Sequence, residues 1–335
     1  MPKALRFGLV SLGCLCCLLA TTWAVGALYF DLPISWLRAP LAFIYALAML
    51  GVPFFVKGPW RGMGVVAAGF AVVLAWWLTI KPTDDGDWQA DVAQKGWADM
   101  HGDEISVYNV RNCEYRTETD YTPRWETRVV HLSKLTGVDL AINYWGSPWI
   151  AHPIVSFQFS DSLPLAFSIE TRKVIGQSYS TLAGFYRQYE LIYIPADERD
   201  VIRLRTNYRG EQVYLYRTTI PAERARAIFV EYLKHLNQLH EHPEFYNAVT
   251  DNCTTNIRVA NVGASGGKAP PWNWRILLNG KGDELLYERR FIDHSLPFSE
   301  LKARSLINPR ARAADSAPEF SQLIRVGLPL CDDEI

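Results

Sequence analysis

The sequence lacks the signals that would place it in several common protein classes. Its formal net charge is -1 at pH 7, so the basic stripe of a nucleic-acid-binding protein is missing. Six cysteines in 335 residues are too few for a disulfide-based fold. There is no glycine-rich phosphate loop, nucleotide fingerprint or internal repeat. We therefore expect no nucleic-acid partner and no cofactor.

Charged side chains are also nearly absent from the first eighty residues, although they make up 21% of the chain. Residues 7–30, 39–56 and 63–80 form three uncharged runs. A bilayer core needs a helix of about 20 apolar residues, with a lower limit of about 17. The runs predict three transmembrane helices within a membrane anchor over residues 1–82. A cleaved signal peptide would explain only the first run, which exceeds the usual apolar core of about 7–15 residues.

Basic residues predict how these helices are oriented. Lys3 and Arg6 precede the first run, and Lys57 and Arg61 separate the second from the third. Segments rich in lysine and arginine stay in the cytoplasm, which places residues 83–335 across the membrane. We expect a multi-pass protein of a bacterial inner (cytoplasmic) membrane with its C-terminal domain in the periplasm. A cytoplasmic domain is the alternative.

The remaining chain has the pattern of an α+β domain with a core over about residues 140–262. Apolar and polar residues alternate in part over 154–159 and 165–170, which predicts a β-hairpin. Further strands are predicted at 189–194 and 212–218, and the pattern over 105–145 is mixed. Pro221 then opens an amphipathic helix with apolar residues at helical spacing: Ala225, Ile228, Phe229, Tyr232, Leu233, Leu236 and Leu239.

A second helix is predicted to begin near Cys253, with Asp251 or Asn252 as its N-cap. Unpaired N–H groups and the positive end of the helix dipole stabilise a thiolate at such a position. The same groups could hold the oxyanion that forms when a thiolate attacks an acyl carbon. Cys253 is therefore a candidate nucleophile.

A nucleophilic cysteine needs a base, usually a histidine from elsewhere in the fold. His152 opens the first strand of the hairpin, and Glu170 or Ser168 on the return strand could orient its ring. Histidines 235, 240 and 242 lie near the end of the amphipathic helix and lack the spacing of a zinc protease, so no metal site is expected.

Structural roles compete with these assignments. Cys253 could be a buried apolar residue or half of a disulfide with Cys113 or Cys331, and His152 a structural histidine. The run 197–200, with Arg203 and Arg205, is most simply a solvated turn. Tryptophans 145, 149, 272 and 274 could belong to the core, to an interfacial belt or to an acyl groove.

Several motifs resemble the family of the Lnb N-terminal periplasmic domain. They are residues 143–147 (NYWGS), 150–152 (IAH), 156–159 (SFQF), 168–172 (SIETR) and 251–255 (DNCTT). The resemblance implies a permuted papain-like (NlpC-type) fold, with Cys253 as the nucleophile and His152 as the base. Glu170 is our assignment for the third group. Ser168, Asn252, Asn143 and Trp145 are expected to support the site.

Members of this family with a known role are lipoprotein N-acyltransferases. The resemblance therefore implies a thiol acyltransferase that moves a fatty acyl chain from a membrane phospholipid to the N-terminal amine of a lipoprotein. The alternatives are a cysteine hydrolase of cell-wall peptide or amide bonds, and a non-catalytic periplasmic binding module.

Overall fold

The computed structural model describes residues 2–329 and has the expected α+β architecture, with three long apolar helices before a sheet-containing domain. The chain divides into two compact units. The first comprises the chain up to Asp85 together with Ser178–Glu190 and Phe245–Ala248. The second comprises Gly86–Gln177, Leu191–Glu244 and the chain from Val249 onward.

The first unit contains helices α1 (Lys3–Asp31), α2 (Ser35–Phe55) and α3 (Pro59–Leu78). Each is long and apolar enough to cross a membrane. The helices begin before the uncharged runs because they include basic residues such as Lys3 and Arg61. Long basic side chains can extend from a helix end to the polar interface, so charge does not end the helix where it ends the apolar run.

The first unit also includes the distant stretch Ser178–Glu190, which contacts the ends of the helices. The Asp31 carboxylate at the end of α1 accepts hydrogen bonds from Trp77 Nε1 at 2.6 Å and Gln188 Nε2 at 2.7 Å. The Tyr186 ring stacks on Phe30 with 5.0 Å between centroids. Gly26 permits this packing, since a Cβ there would collide with the Tyr186 hydroxyl. No sequence pattern indicated these contacts.

The second unit is built on an eight-stranded sheet of order β1-β2-β9-β8-β7-β6-β10, with β5 paired to β2. A separate two-stranded sheet pairs β3 with β4. Strands β2 to β6 lie where the sequence pattern was mixed, because charged residues and threonines occupy many of their exposed positions, and β1 precedes that range. The strands are β1 (Trp97–His101), β2 (Glu104–Arg111), β3 (Glu114–Tyr115), β4 (Tyr121–Thr122), β5 (Trp125–His131), β6 (Leu135–Tyr144), β7 (Ala151–Phe159), β8 (Leu165–Arg172), β9 (Glu190–Ala196) and β10 (Gln212–Arg217).

The predicted hairpin is confirmed: β7 and β8 pair antiparallel with Ile154 opposite Ser168. The predicted amphipathic helix is confirmed as α5, and its seven predicted apolar residues are all buried. The helices of this unit are α4 (Glu198–Arg203), α5 (Ala222–Glu241), α6 (Cys253–Gly263), α7 (Gly282–Glu288), α8 (Phe298–Ser305), α9 (Asn308–Ala313) and α10 (Phe320–Leu323).

The two faces of the sheet have different coverings. Phe157 and Phe167 pack against Phe229 and Tyr232 of α5. Successive residues of a strand point to opposite faces, so Ile154 lies on the other face. There it joins a core cluster that includes residues from α4, α9 and α10.

The prediction that residues 197–200, with Arg203 and Arg205, form a solvated turn is wrong. Glu198 and Asp200 are completely buried, and Arg205 is 7% exposed. Buried charges are tolerated when they are paired. The Glu198 carboxylate lies 2.6 Å from Arg325 Nη2, and Asp200 lies 2.9 Å from Arg111 Nη2. These partners come from distant parts of the sequence, so the local pattern could not reveal them.

Candidate functional site

Cys253 is the first residue of α6, and Asn252 is its N-cap. Asn252 Oδ1 accepts hydrogen bonds from the backbone N–H groups of Thr254 at 2.9 Å and Thr255 at 3.0 Å. The Asn252 N–H donates in return to Thr255 Oγ1 at 2.9 Å, which completes a capping box. The helix start was predicted, and of the two predicted caps the structure selects Asn252.

The Cys253 thiol is free and 9% exposed. Burial raises its pKa to about 11, although hydrogen bonds from Thr254 and from the backbone act in the opposite direction. The helix terminus was expected to stabilise the thiolate and so to lower the pKa of Cys253. The net shift has the opposite sign, because burial outweighs the helix terminus. Cys113 is also a buried free thiol, whereas Cys331 lies outside the described residues.

Asn279 connects the cysteine to the start of β7. Its Nδ2 lies 3.7 Å from Cys253 Sγ and donates to Thr254 Oγ1 at 2.8 Å. Its Oδ1 accepts from the Ala151 N–H at 2.9 Å. Gly280 allows this approach, since a Cβ there would collide with the backbone of Trp149. Sequence reasoning missed Asn279, which lies outside the recognised motifs and carries no local signal.

His152 is the first member of a separate series of polar contacts. Its Nε2 is 2.8 Å from Ser168 Oγ, and the Ser168 hydroxyl donates to Glu170 Oε1 at 2.7 Å. Arg205 Nη2 then lies 3.4 Å from the same carboxylate oxygen. Ser168 is thus the direct contact of the imidazole, and Glu170 is one step behind it. Arg205, for which the sequence predicted a solvated turn, pairs with the Glu170 carboxylate at the end of this series.

Asn143 and Glu211 extend this network across the neighbouring strand. Asn143 lies directly opposite His152 in the pairing of β6 with β7, so the two side chains share a face. Its Nδ2 donates to Glu211 Oε2 at 2.6 Å, and Glu211 Oε1 accepts from Arg205 Nη1 at 3.2 Å. The Asn143 Oδ1 atom is buried without a hydrogen-bond partner among the described residues.

These contacts select one tautomer of His152. The Ser168 hydroxyl has a single proton, which it donates to the Glu170 carboxylate. Its oxygen must then accept from His152 Nε2–H, which leaves the lone pair on Nδ1. Burial and the charge of Arg205 lower the pKa of His152 to about 3, so the ring is neutral at pH 7.

The Glu170 carboxylate stays ionised. Burial alone would raise its pKa, but Arg205, Arg111 and the Ser168 hydrogen bond hold the pKa below its ordinary value. The resting site therefore contains a neutral thiol, a neutral imidazole and a buried carboxylate. An ionised Glu170 fixes the direction of the Ser168 hydroxyl and, through it, the His152 tautomer.

The thiol and the imidazole are not in direct contact. No hydrogen bond between Cys253 and His152 occurs within residues 2–329. His152 shares the sheet face of Ser168 and Glu170, whereas Cys253 interacts electrostatically with Tyr232, which packs on the opposite face. Asn279 links the two segments at the start of β7, and the charge of Arg205 acts on both groups.

A cavity of about 680 Å³ lies beside this site, although neither Cys253 nor His152 lines it. Trp145, which is 42% exposed, forms part of its wall with Arg209, Glu211 and Lys302. Gly280, the neighbour of Asn279, also lines it. The cavity therefore combines charged side chains with aromatic ones, since Tyr144 and Tyr214 also line it.

Comparison with known proteins finds a family model that part of the chain matches. Residues 121–280 match the family model of the Lnb N-terminal periplasmic domain, a range that includes His152, Glu170, Cys253 and Asn279. No curated protein and no solved structure matches the chain. The family match and the three apolar helices together support a membrane protein with a periplasmic domain.

Proposed function

We propose, from the premise of an Lnb-type domain on a membrane anchor, that this chain is a cysteine-dependent acyltransferase. It moves a fatty acyl chain from a membrane phospholipid to the N-terminal amine of a lipoprotein through a thioester on Cys253. The catalytic domain spans residues 83–335 and has a permuted papain-like fold. It faces the periplasm from a multi-pass anchor in the bacterial inner membrane.

One observation carries this proposal: a free thiol at a capped helix start lies one asparagine away from the strand that bears an oriented histidine. The contacts from His152 to Ser168, Glu170 and Arg205 leave Nδ1 as the basic nitrogen.

In the first half-reaction Cys253 Sγ attacks the ester carbonyl of the phospholipid while His152 Nδ1 takes the thiol proton. The oxyanion is held by the backbone N–H of Cys253 at the start of α6 and by Asn279 Nδ2, because the N–H groups of Thr254 and Thr255 already bind Asn252 Oδ1. The tetrahedral intermediate then expels the lysophospholipid oxygen, which takes the proton from His152. The products are a lysophospholipid and an acyl thioester.

In the second half-reaction the amine of the acceptor attacks the thioester, and His152 takes its proton. Collapse of the intermediate forms an amide, and the departing thiolate of Cys253 regains the proton. Both attacks require His152 Nδ1 to come within hydrogen-bond distance of the reacting group. In the structure the two groups lie towards opposite faces of the sheet, so the proposal requires the start of β7 to turn His152 towards Cys253 when substrate binds.

The direct test is the intact mass of the full chain after incubation with phospholipid vesicles. We expect a hydroxylamine-sensitive adduct with the mass of one acyl chain, and its absence in Cys253→Ala. The matched control is Cys113→Ala, which removes the other buried thiol within residues 83–329 and should retain the adduct. An adduct of full yield in Cys253→Ala would overturn the proposal.

The base is tested separately. His152→Ala should slow adduct formation by about 10²–10⁴-fold, the usual contribution of a general base. His235→Ala is the control, because this histidine lies on the α5 side of the sheet, with its ring 6.3 Å from that of Tyr193. If His235→Ala were inactive and His152→Ala active, the thiol chemistry would stand but the base assignment would be wrong.

The charged side chains of the cavity favour a second candidate, a hydrolase of cell-wall peptide or amide bonds. Arg209, Glu211 and Lys302 suit a charged peptide better than an acyl chain. The same mass experiment separates the two functions. A peptidyl adduct from cell-wall fragments, without any acyl adduct from phospholipid, would favour the hydrolase.

A further inference from the structure

The sequence left open whether the tryptophans near the site belong to the core. The structure excludes that role for those on two loops, the connection between β6 and β7 and the connection between α6 and α7. Exposed apolar side chains from these loops form what we call the Trp/Leu patch. It consists of Trp149, Ile150, Trp272, Trp274, Leu277 and Leu278, with exposures from 40% for Leu277 to 64% for Trp272.

Both loops are held in place by the backbone. The Gly280 N–H donates to the Trp149 carbonyl oxygen at 2.9 Å, and the N–H groups of Leu277 and Leu278 donate to the Trp274 carbonyl oxygen at 3.0 and 3.1 Å. The patch is therefore a built surface and not a set of unrelated loose side chains. Asn279, which contacts Cys253 Sγ, directly follows Leu278 in the chain.

Two cations lie against its aromatic rings. The Arg275 guanidinium is 5.6 Å from the Trp274 ring centroid, and the Lys281 ammonium is 5.7 Å from that of Trp149. Each also pairs with a glutamate, Glu288 at 2.8 Å and Glu284 at 2.6 Å. Tryptophan beside basic side chains is the composition of protein surfaces that lie at the level of lipid headgroups.

We propose that the Trp/Leu patch inserts into the headgroup region of the lipid bilayer. Each large apolar side chain that leaves water stabilises the inserted state, so several together strongly favour insertion over exposure. The occupant is the bilayer and not a separate protein, because the three apolar helices of the same chain keep lipid at a high effective concentration. The insertion is independent of the thiol chemistry.

The test is photo-crosslinking of the full chain in vesicles of phosphatidylethanolamine and phosphatidylglycerol. The Cys253→Ala protein is used so that no acyl thioester interferes. p-Benzoylphenylalanine replaces Trp274 in one protein and Leu163 in the control. Leu163 is 50% exposed in the turn between β7 and β8, about 26 Å along β7 from its first residue.

We expect a phospholipid-mass adduct at position 274 in several-fold higher yield than at position 163. Equal yields at both positions, or no lipid adduct at position 274, would overturn the proposal. A crosslinked species of twice the chain mass at position 274 would also overturn it, since a second copy of the chain would then cover the patch. Failure of the acyl-transfer proposal would leave this result unchanged.

Discussion

The two halves of the candidate site are built in different ways. The thiol half is local: Cys253 is positioned by a capping box formed within residues 252–255. The imidazole half is non-local, because His152 depends on Ser168 and Glu170 of β8 and on Arg205 from a second, later segment. Neutral side chains surround the thiol, whereas buried charges stand behind the imidazole.

This difference predicts how each half responds to mutation. Loss of a neutral capping group costs one or two hydrogen bonds at a helix end. Loss of one member of a buried charge network leaves its partner without compensation in a medium of low dielectric. The imidazole half should therefore be the fragile half, and the thiol half the tolerant one.

The largest effect is expected for Arg205→Leu. This change leaves the Glu170 and Glu211 carboxylates without their shared guanidinium and should destabilise the domain by about 3–5 kcal/mol. Urea unfolding in detergent, followed by near-UV circular dichroism, measures the change. The control is Arg116→Leu, because Arg116 forms an exposed pair with Asp120 and its loss should change the free energy of unfolding far less. Similar losses in both variants would refute the proposed difference between the halves.

The free energy of unfolding should also fall at acidic pH because of the imidazole half. The pKa of His152 is lowered to about 3 in the folded state, while the unfolded chain binds this proton near pH 6.5. Between these values the unfolded state holds more protons, so stability falls as the pH falls, by about 1.4 kcal/mol per unit for this group. The free energy of unfolding should depend less on pH between 6.5 and 4.5 in His152→Gln. An unchanged slope would contradict the buried, neutral state of His152.

Ser168→Ala tests the hydroxyl that connects the His152 imidazole to the Glu170 carboxylate. It removes the acceptor of His152 Nε2–H and should lower the rate of thioester formation by up to about 100-fold through misplacement of the ring. Ser168→Thr retains a hydroxyl and should restore most of the rate. A purely structural role would give the same rate in both variants once equal amounts of folded protein are compared.

The smallest effect is expected in the thiol half. Asn252→Ala removes the side-chain acceptor for two N–H groups of α6 and should cost about 1 kcal/mol in the free energy of unfolding. Asn252→Asp keeps an acceptor and should be nearly neutral. A loss as large as that of Arg205→Leu would show that the thiol half is not tolerant.

The sequence was informative where a structure depends on neighbouring residues. The three apolar helices, the hairpin of β7 and β8, the amphipathic helix α5 and the start of α6 all follow from patterns within short windows. Strands β1 to β6 were missed because charged residues and threonines interrupt their apolar alternation. The pKa of Cys253 was predicted in the wrong direction, since a helix terminus can be read from sequence but burial cannot.

Sequence alone determined that this chain has three helices long and apolar enough to cross a membrane, and that one cysteine begins a capped helix, because hydropathy and capping act between neighbours in the chain. Only the tertiary structure decided that Arg205 is buried behind Glu170, that Asn279 connects the cysteine with β7, and that the tryptophans of the two loops face outward. These features depend on burial and charge pairing between segments far apart in sequence, which no local pattern encodes.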